Sequence, residues 1–185
     1  MKRIGVLAVQ GGFDSHLRAL EAAGYTAVTV REARDLDGLD GLVLPGGEST
    51  TQWKLIVRHG LATALAAFVT SKKPILATCA GLILAARAVR NPEQPSFGWL
   101  DVSVARNAWG RQVDSFEAAL DGGGDPMVFI RAPRIEAVGD GVEVLATYRG
   151  EPVLVRQGSI VGAVFHPELG PAAAYARLFP WSAPS

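Results

Sequence analysis

Pro74-Ile75-Leu76-Ala77-Thr78-Cys79-Ala80-Gly81-Leu82-Ile83-Leu84-Ala85-Ala86 decides how this chain is read. An apolar run of strand length reaches the sole cysteine of the protein, and an alanine- and leucine-rich helical pattern starts at once beyond it. A side chain at such a strand-to-helix corner is pushed out of the sheet toward solvent, with its backbone under the first turn of a helix. The free N–H groups and positive end of that helix favour a thiolate, which makes the cysteine a nucleophile. The alternative is a buried structural thiol, because free cysteine is among the most often buried residue types. A lone cysteine also needs a base and an oxyanion site before it can do chemistry.

The pattern upstream puts that corner inside a doubly wound sheet. Ile4 to Val9 is a continuous apolar run, as in a strand buried on both faces of a parallel sheet. Gln10-Gly11-Gly12 breaks it, Asp14-Ser15 can cap a helix running to about Ala23, and Gly24 closes that helix. Thr26 to Val30 and Leu42-Val43-Leu44 read as further strands, the latter stopped by Pro45-Gly46-Gly47. Helical pattern resumes at Ser49 and covers Trp53 to Val57 and Leu61 to Val69. This alternation, continuing through about Ala88, predicts βαβ units. Ligands of such sheets bind beyond the carboxyl ends of the strands, where Gln10, Gly46-Gly47 and Cys79 fall.

The second half reads differently. Strand-like segments recur at Leu100 to Ala105, Met127 to Ile130, Val142 to Tyr148, Val153 to Arg156 and Ile160 to Phe165. They predict an antiparallel β-rich insertion or extension of the same sheet. A last helix, about Ala172 to Leu178, precedes a tail expected to be loose.

Composition narrows the class. One domain over 1–185 is expected, with 49% hydrophobic residues enough for a substantial core. Eighteen basic residues balance eighteen acidic ones, so no net field favours nucleic acid or an anionic membrane. A single cysteine excludes an internal disulfide framework and fits a reducing compartment. The apolar run before Gln10 is too short for a signal peptide, and a cytoplasmic protein is expected.

Three histidines could serve Cys79. His16 on a helix and His59 before Gly60 are expected at the surface. His166 follows the apolar run Val161 to Phe165 and opens His166-Pro167-Glu168. In an extended segment, residues two apart point to the same side, so Glu168 can reach His166. A carboxylate on one imidazole nitrogen sets the tautomer and leaves the other nitrogen for the thiol. The alternative is a chance His-Pro-Glu turn. Oxyanion donors are available from the N–H of Ala80 and from Pro45-Gly46-Gly47-Glu48-Ser49-Thr50, which can equally be an ordinary β–α turn with Ser49 as N-cap. That stretch is not a phosphate loop, because no Gly-Lys-Ser/Thr follows.

Ala77-Thr78-Cys79-Ala80-Gly81 together with His166-Pro167-Glu168 resembles the class I, triad-type glutamine amidotransferases. Val9-Gln10-Gly11, Leu44 to Thr51, Arg106-Asn107, Gly110-Arg111-Gln112-Val113-Asp114-Ser115-Phe116 and Phe129-Ile130-Arg131-Ala132-Pro133 are similar to the glutaminase subunits of pyridoxal 5′-phosphate synthases. The resemblance implies a three-layer α/β sandwich with a central mostly parallel, flavodoxin-like sheet. It implies a catalytic triad of Cys79, His166 and Glu168. It also implies glutamine contacts from Gly47, Glu48, Ser49, Arg106, Ile130 and Arg131, and an oxyanion site formed by Gly47 and Ala80 with Gln10 nearby. No cofactor or metal is expected. The implied partner is a separate synthase subunit, with L-glutamine as substrate and no nucleic acid or membrane. One departure stands at Ala77, where the family usually carries glycine. Other readings are a glutaminase serving a different synthase, a cysteine hydrolase or peptidase on a related sheet, and a non-catalytic regulatory subunit.

Overall fold

The computed structural model describes residues 1–106 and 115–179. Asn107, residues 110–114 of the Gly110 to Phe116 motif, and the tail from 180 to 185 lie outside them. In chain order the strands and helices are β1 (Arg3–Leu7), α1 (Phe13–Ala22), β2 (Thr26–Val30), β3 (Gly41–Leu44), α2 (Ser49–Arg58), α3 (Leu61–Thr70), β4 (Ile75–Thr78) and α4 (Ala80–Ala85). There follow β5 (Ala86–Arg90), β6 (Leu100–Ala105), β7 (Ser115–Ala118), β8 (Met127–Ile130), β9 (Arg134–Val138), β10 (Glu143–Tyr148), β11 (Glu151–Gln157), β12 (Ile160–Ala163) and α5 (Ala172–Ala176).

The main sheet has seven strands in the order β10-β11-β12-β4-β3-β1-β2. From β12 to β2 every pairing is parallel, and β10 and β11 add an antiparallel edge. Every residue of β3, β4 and β12 is buried, which is why these strands read as unbroken apolar runs instead of alternating ones. Each buried leucine, isoleucine or valine contributes roughly 1.5–3 kcal/mol over its exposed state.

The chain steps one way from β1 to β2 and the other way from β3 to β4 and on to β12. Right-handed crossovers running in opposite directions put their helices on opposite faces. Accordingly α1 packs against α5, while α2 packs against α3 and α4. The result is the expected three-layer sandwich, with the β2-β1-β3-β4-β12 order of a flavodoxin-like sheet. Helical spacing drives the layers together: α3 buries Leu61, Leu65 and Phe68, spaced by one helical turn each.

Several local expectations need correction. The helix after Cys79 stops at Ala85, and Ala86–Arg90 is a strand in a separate sheet, β5-β6-β9. The alanine-rich run looked helical, but its backbone is taken up by pairing with β6. Of the β-rich second half, only β10, β11 and β12 extend the main sheet, while β7 and β8 form a two-stranded ribbon. Gly12, not Asp14 or Ser15, occupies the N-cap of α1, and no side chain caps that helix. No helix among the described residues is long and apolar enough to cross a membrane.

Candidate active site

Strand β4 ends at Thr78 and α4 begins at Ala80, so Cys79 alone makes the corner, with φ 48° and ψ −105°. Positive φ is costly for a residue with a side chain and persists only where neighbours enforce it. Here Cys79 N–H donates to the Ala163 carbonyl at 2.8 Å, and the Cys79 carbonyl accepts from Ile83 N–H at 3.1 Å. Gly81 lets α4 start this close to the sheet, because a Cβ there would lie 2.0 Å from the Leu44 carbonyl oxygen. Ala77 is accommodated in β4, in register with Gly162 on one side and Leu44 on the other. Cys79 does not project freely into solvent as the corner suggested. It is only 7% exposed and borders a cavity of about 420 Å³, with its Sγ 3.9 Å from the Ile130 carbonyl oxygen.

His166 arrives at the same cavity from just past β12. Its backbone N–H donates to the Val128 carbonyl at 2.7 Å, which ties β8 to this point. The segment after it is a single 3-10 turn, Pro167–Leu169, and not the extended strand assumed from sequence. The turn nevertheless brings Glu168 Oε1 to 2.7 Å from His166 Nδ1. Burial alone would lower the His166 pKa, but the neighbouring Cys79 side chain and the Glu168 carboxylate outweigh it and raise it to about 10. Burial pushes Glu168 upward, yet its bond to His166 and the nearby His16 hold it below the usual carboxylate range.

His59 is exposed, as expected, but His16 is not. It is fully buried with Ala19 and Leu20 on the inner face of α1. Its Nδ1 lies 2.7 Å from the Tyr175 hydroxyl, and its Nε2 lies 3.1 Å from Thr78 Oγ1 and 3.3 Å from Glu168 Oε2. Burial is the main influence on this ring and lowers its pKa to about 4.

The opposite wall of the cavity is the turn after β3. Gly47 has φ +153°, and a Cβ there would sit 2.5 Å from Gln10 Oε1 and 2.8 Å from Gln52 Nε2. Gln10 Oε1 accepts from Glu48 N–H at 2.9 Å. Gln52, buried on α2, donates from Nε2 to the carbonyls of Gln10, Pro45 and Gly46. The N-cap of α2 is Glu48, whose carboxylate accepts from Thr50 N–H and Thr51 N–H. Burial opposes its charge, but these bonds and the Thr51 hydroxyl hold its pKa at about 2. Ser49 is thus a helical residue, and its hydroxyl donates to Gln94 Oε1 at 2.7 Å.

Arg106 reaches over from the end of β6, donating 3.2 Å bonds to Glu48 Oε1 and to Thr50 Oγ1. Gln10, Gly47, Glu48, Ser49, Cys79, Arg106, Ile130, Arg131 and His166 all line this one cavity. Ala80 is buried at the start of α4 behind Cys79, and Glu168 stands behind His166. Sequence reading missed Gln52, Gln94 and the burial of His16. For Gln52 and His16 a signal existed, since each is a polar residue on the apolar stripe of an amphipathic helix.

A thiol at a strand-to-helix corner, an imidazole and a carboxylate in this order suit acyl transfer from an amide. The model of the SNO glutamine amidotransferase family matches residues 6–181. Pyridoxal 5'-phosphate synthase subunit PdxT of Geobacillus kaustophilus (strain HTA426) is 52% identical over 171 residues, covering 90% of this chain and 87% of that protein. A solved structure described as a glutamine amidotransferase superposes with a TM-score of 0.89 at 44% identity, covering 96% of each chain. The structure of PurLQS from Thermotoga maritima, at 18% identity and a TM-score of 0.68 over 95% of each chain, shares the fold. Matched along nearly its whole length, this chain belongs to the SNO glutamine amidotransferase family.

Proposed function

We propose that this chain hydrolyses the side-chain amide of L-glutamine to L-glutamate and ammonia, and supplies the ammonia to a pyridoxal 5′-phosphate synthase partner. The observation that carries the reading is that Cys79 and His166 line one cavity while Glu168 Oε1 lies 2.7 Å from His166 Nδ1. The name borne by the Geobacillus relative supports the choice of partner.

In this reading Cys79 Sγ attacks the amide carbon and the carbonyl electrons move onto oxygen. The N–H groups of Gly47 and Ala80 hold that oxyanion, each such donor being worth about 10²–10³ in rate. Gln10 fixes the loop by occupying Glu48 N–H. His166 gives its proton to the departing nitrogen, so ammonia leaves and a thioester remains. The ring, now neutral, takes a proton from water, whose oxygen attacks the thioester and releases glutamate.

Glu48, held ionised, suits the substrate ammonium group, and Arg106 and Arg131 suit its α-carboxylate. Ser49 and Ile130 complete the wall around the substrate. We take 1–185 as one glutaminase domain of the cytoplasm, where a lone nucleophilic thiol stays reduced.

Ammonia release from glutamine, measured with and without the synthase subunit, tests this reading. Cys79→Ala is expected to abolish release while leaving the complex intact. Retained turnover in that variant would overturn the assignment.

A further inference from the structure

The cysteine chemistry leaves one buried imidazole unused, and it lies directly behind Glu168. The Oε1 of that carboxylate is bound by His166, but its Oε2 is buried and makes no hydrogen bond among the described residues. His16 Nε2 is 3.3 Å from this oxygen. A carboxylate oxygen at that distance favours an N–H over a nitrogen lone pair, so it selects the Nε2–H tautomer of His16. The hydrogen-bond partner of that nitrogen is Thr78 Oγ1 at 3.1 Å, with Glu168 Oε2 just beyond it. Nδ1 is then the acceptor, 2.7 Å from the Tyr175 hydroxyl. Tyr175 is fully buried, and burial together with the Glu168 charge keeps its proton on oxygen, so it is the donor.

We propose that His16, set in its tautomer by Tyr175, is a positioning residue whose imidazole, 3.3 Å from the second oxygen of Glu168, blocks that carboxylate from turning and so keeps its first oxygen on His166 through the catalytic cycle. This rests on the glutaminase reading above. The imidazole of His166 gains and loses a proton during turnover, and its pull on the carboxylate changes each time. A carboxylate bound at one oxygen and backed by an imidazole at the other keeps the His166 ring aligned on Cys79, whereas one touched only by His166 can turn with it. Thr78 immediately precedes the nucleophile, so the same imidazole also ties α1 to the corner.

The test uses the complex with the synthase subunit and measures kcat and KM for glutamine, with thermal unfolding as a check on folding. His16→Leu is expected to lower kcat roughly 10- to 100-fold with little change in KM, the usual cost of losing a group that orients an active residue. His16→Gln, which keeps an N–H donor, should recover most of the loss. Folded His16→Leu protein with wild-type kcat, or a glutamine variant no better than the leucine one, would overturn the proposal. Should both fail to fold, Tyr175→Phe removes a single oxygen and decides the matter. A several-fold fall in kcat is expected there, and an unchanged kcat refutes the role. Cys79→Ala separates the two levels. Ammonia release by that variant sinks the glutaminase reading, while its inactivity beside an indifferent His16→Leu sinks this inference alone.

Discussion

Replacing His16 by glutamine removes a titrating ring while keeping a hydrogen-bonding amide, so the pH dependence of stability carries the signature of that ring. Burial is the largest influence on His16 and lowers its pKa from 6.5 to about 4; Glu168 pulls upward and His166 downward. Below about pH 6.5 the unfolded chain binds a proton at this position, and the folded chain refuses it until about pH 4. A depressed histidine therefore costs the fold nothing above that range, and stability is lost as pH falls through it. At 1.36 kcal/mol per pKa unit, the loss is about 2 kcal/mol by pH 5 and about 3 kcal/mol by pH 4. Denaturant unfolding of the wild type and of His16→Gln, followed from about pH 8 down to about pH 4, reads this contribution, because the titrating groups other than His16 and its neighbours Glu168 and His166 are common to both. The difference between the two free energies should be flat in the upper half of that range. It should then shift by about 3 kcal/mol against the wild type. A constant difference would refute a buried, neutral His16.

Other outcomes follow from the same geometry. Gly81→Ala would place a Cβ 2.0 Å from the Leu44 carbonyl oxygen, a backbone atom that cannot move aside cheaply. Chemical denaturation should show a loss of about 3 kcal/mol or more, and wild-type stability would contradict the close approach of α4 to β3. Glu168→Gln keeps an acceptor for His166 but loses the charge that helps raise its pKa. Ammonia release should fall by about 10²-fold, less than in Cys79→Ala, with the alkaline limb of kcat/KM moved to lower pH. His166 acts on stability in the opposite sense to His16: its raised pKa gives stabilisation that is complete below about pH 6.5 and lost as pH rises through about 10. His166→Asn should flatten that alkaline limb in an unfolding series, and an unaltered limb would count against the Cys79–His166–Glu168 coupling.

How legible the site was depended on how local its signals were. The run from Pro74 to Ala86 announced a strand, a corner and a helix because strand burial, positive φ at Cys79 and close approach at Gly81 all act within a few residues. His166-Pro167-Glu168 could be paired correctly from spacing, although the backbone that pairs them is a turn and not a strand. Ala86–Arg90 reads as helix from sequence because alanine fits either state, and pairing with β6, beginning at Leu100, decides it. The apolar stripe of α1 hints that His16 is buried, but nothing near it in sequence shows that Thr78, Glu168 and Tyr175 converge there. Thr78 lies 62 residues away and Tyr175 lies 159, beyond the reach of any local pattern. Glu48 displaced Ser49 as the helix cap for a similar reason, because Gln94 claims the serine hydroxyl from another loop.

The proposed chemistry stands on Cys79 as the nucleophile of a glutamine site. Incubation with a glutamine-like electrophile, followed by intact-mass measurement and peptide mapping, addresses it directly. One adduct is expected, on Cys79, forming in step with the loss of ammonia release and suppressed by excess glutamine. Continued ammonia release from fully labelled protein, or labelling of Cys79 that glutamine does not slow, would contradict it.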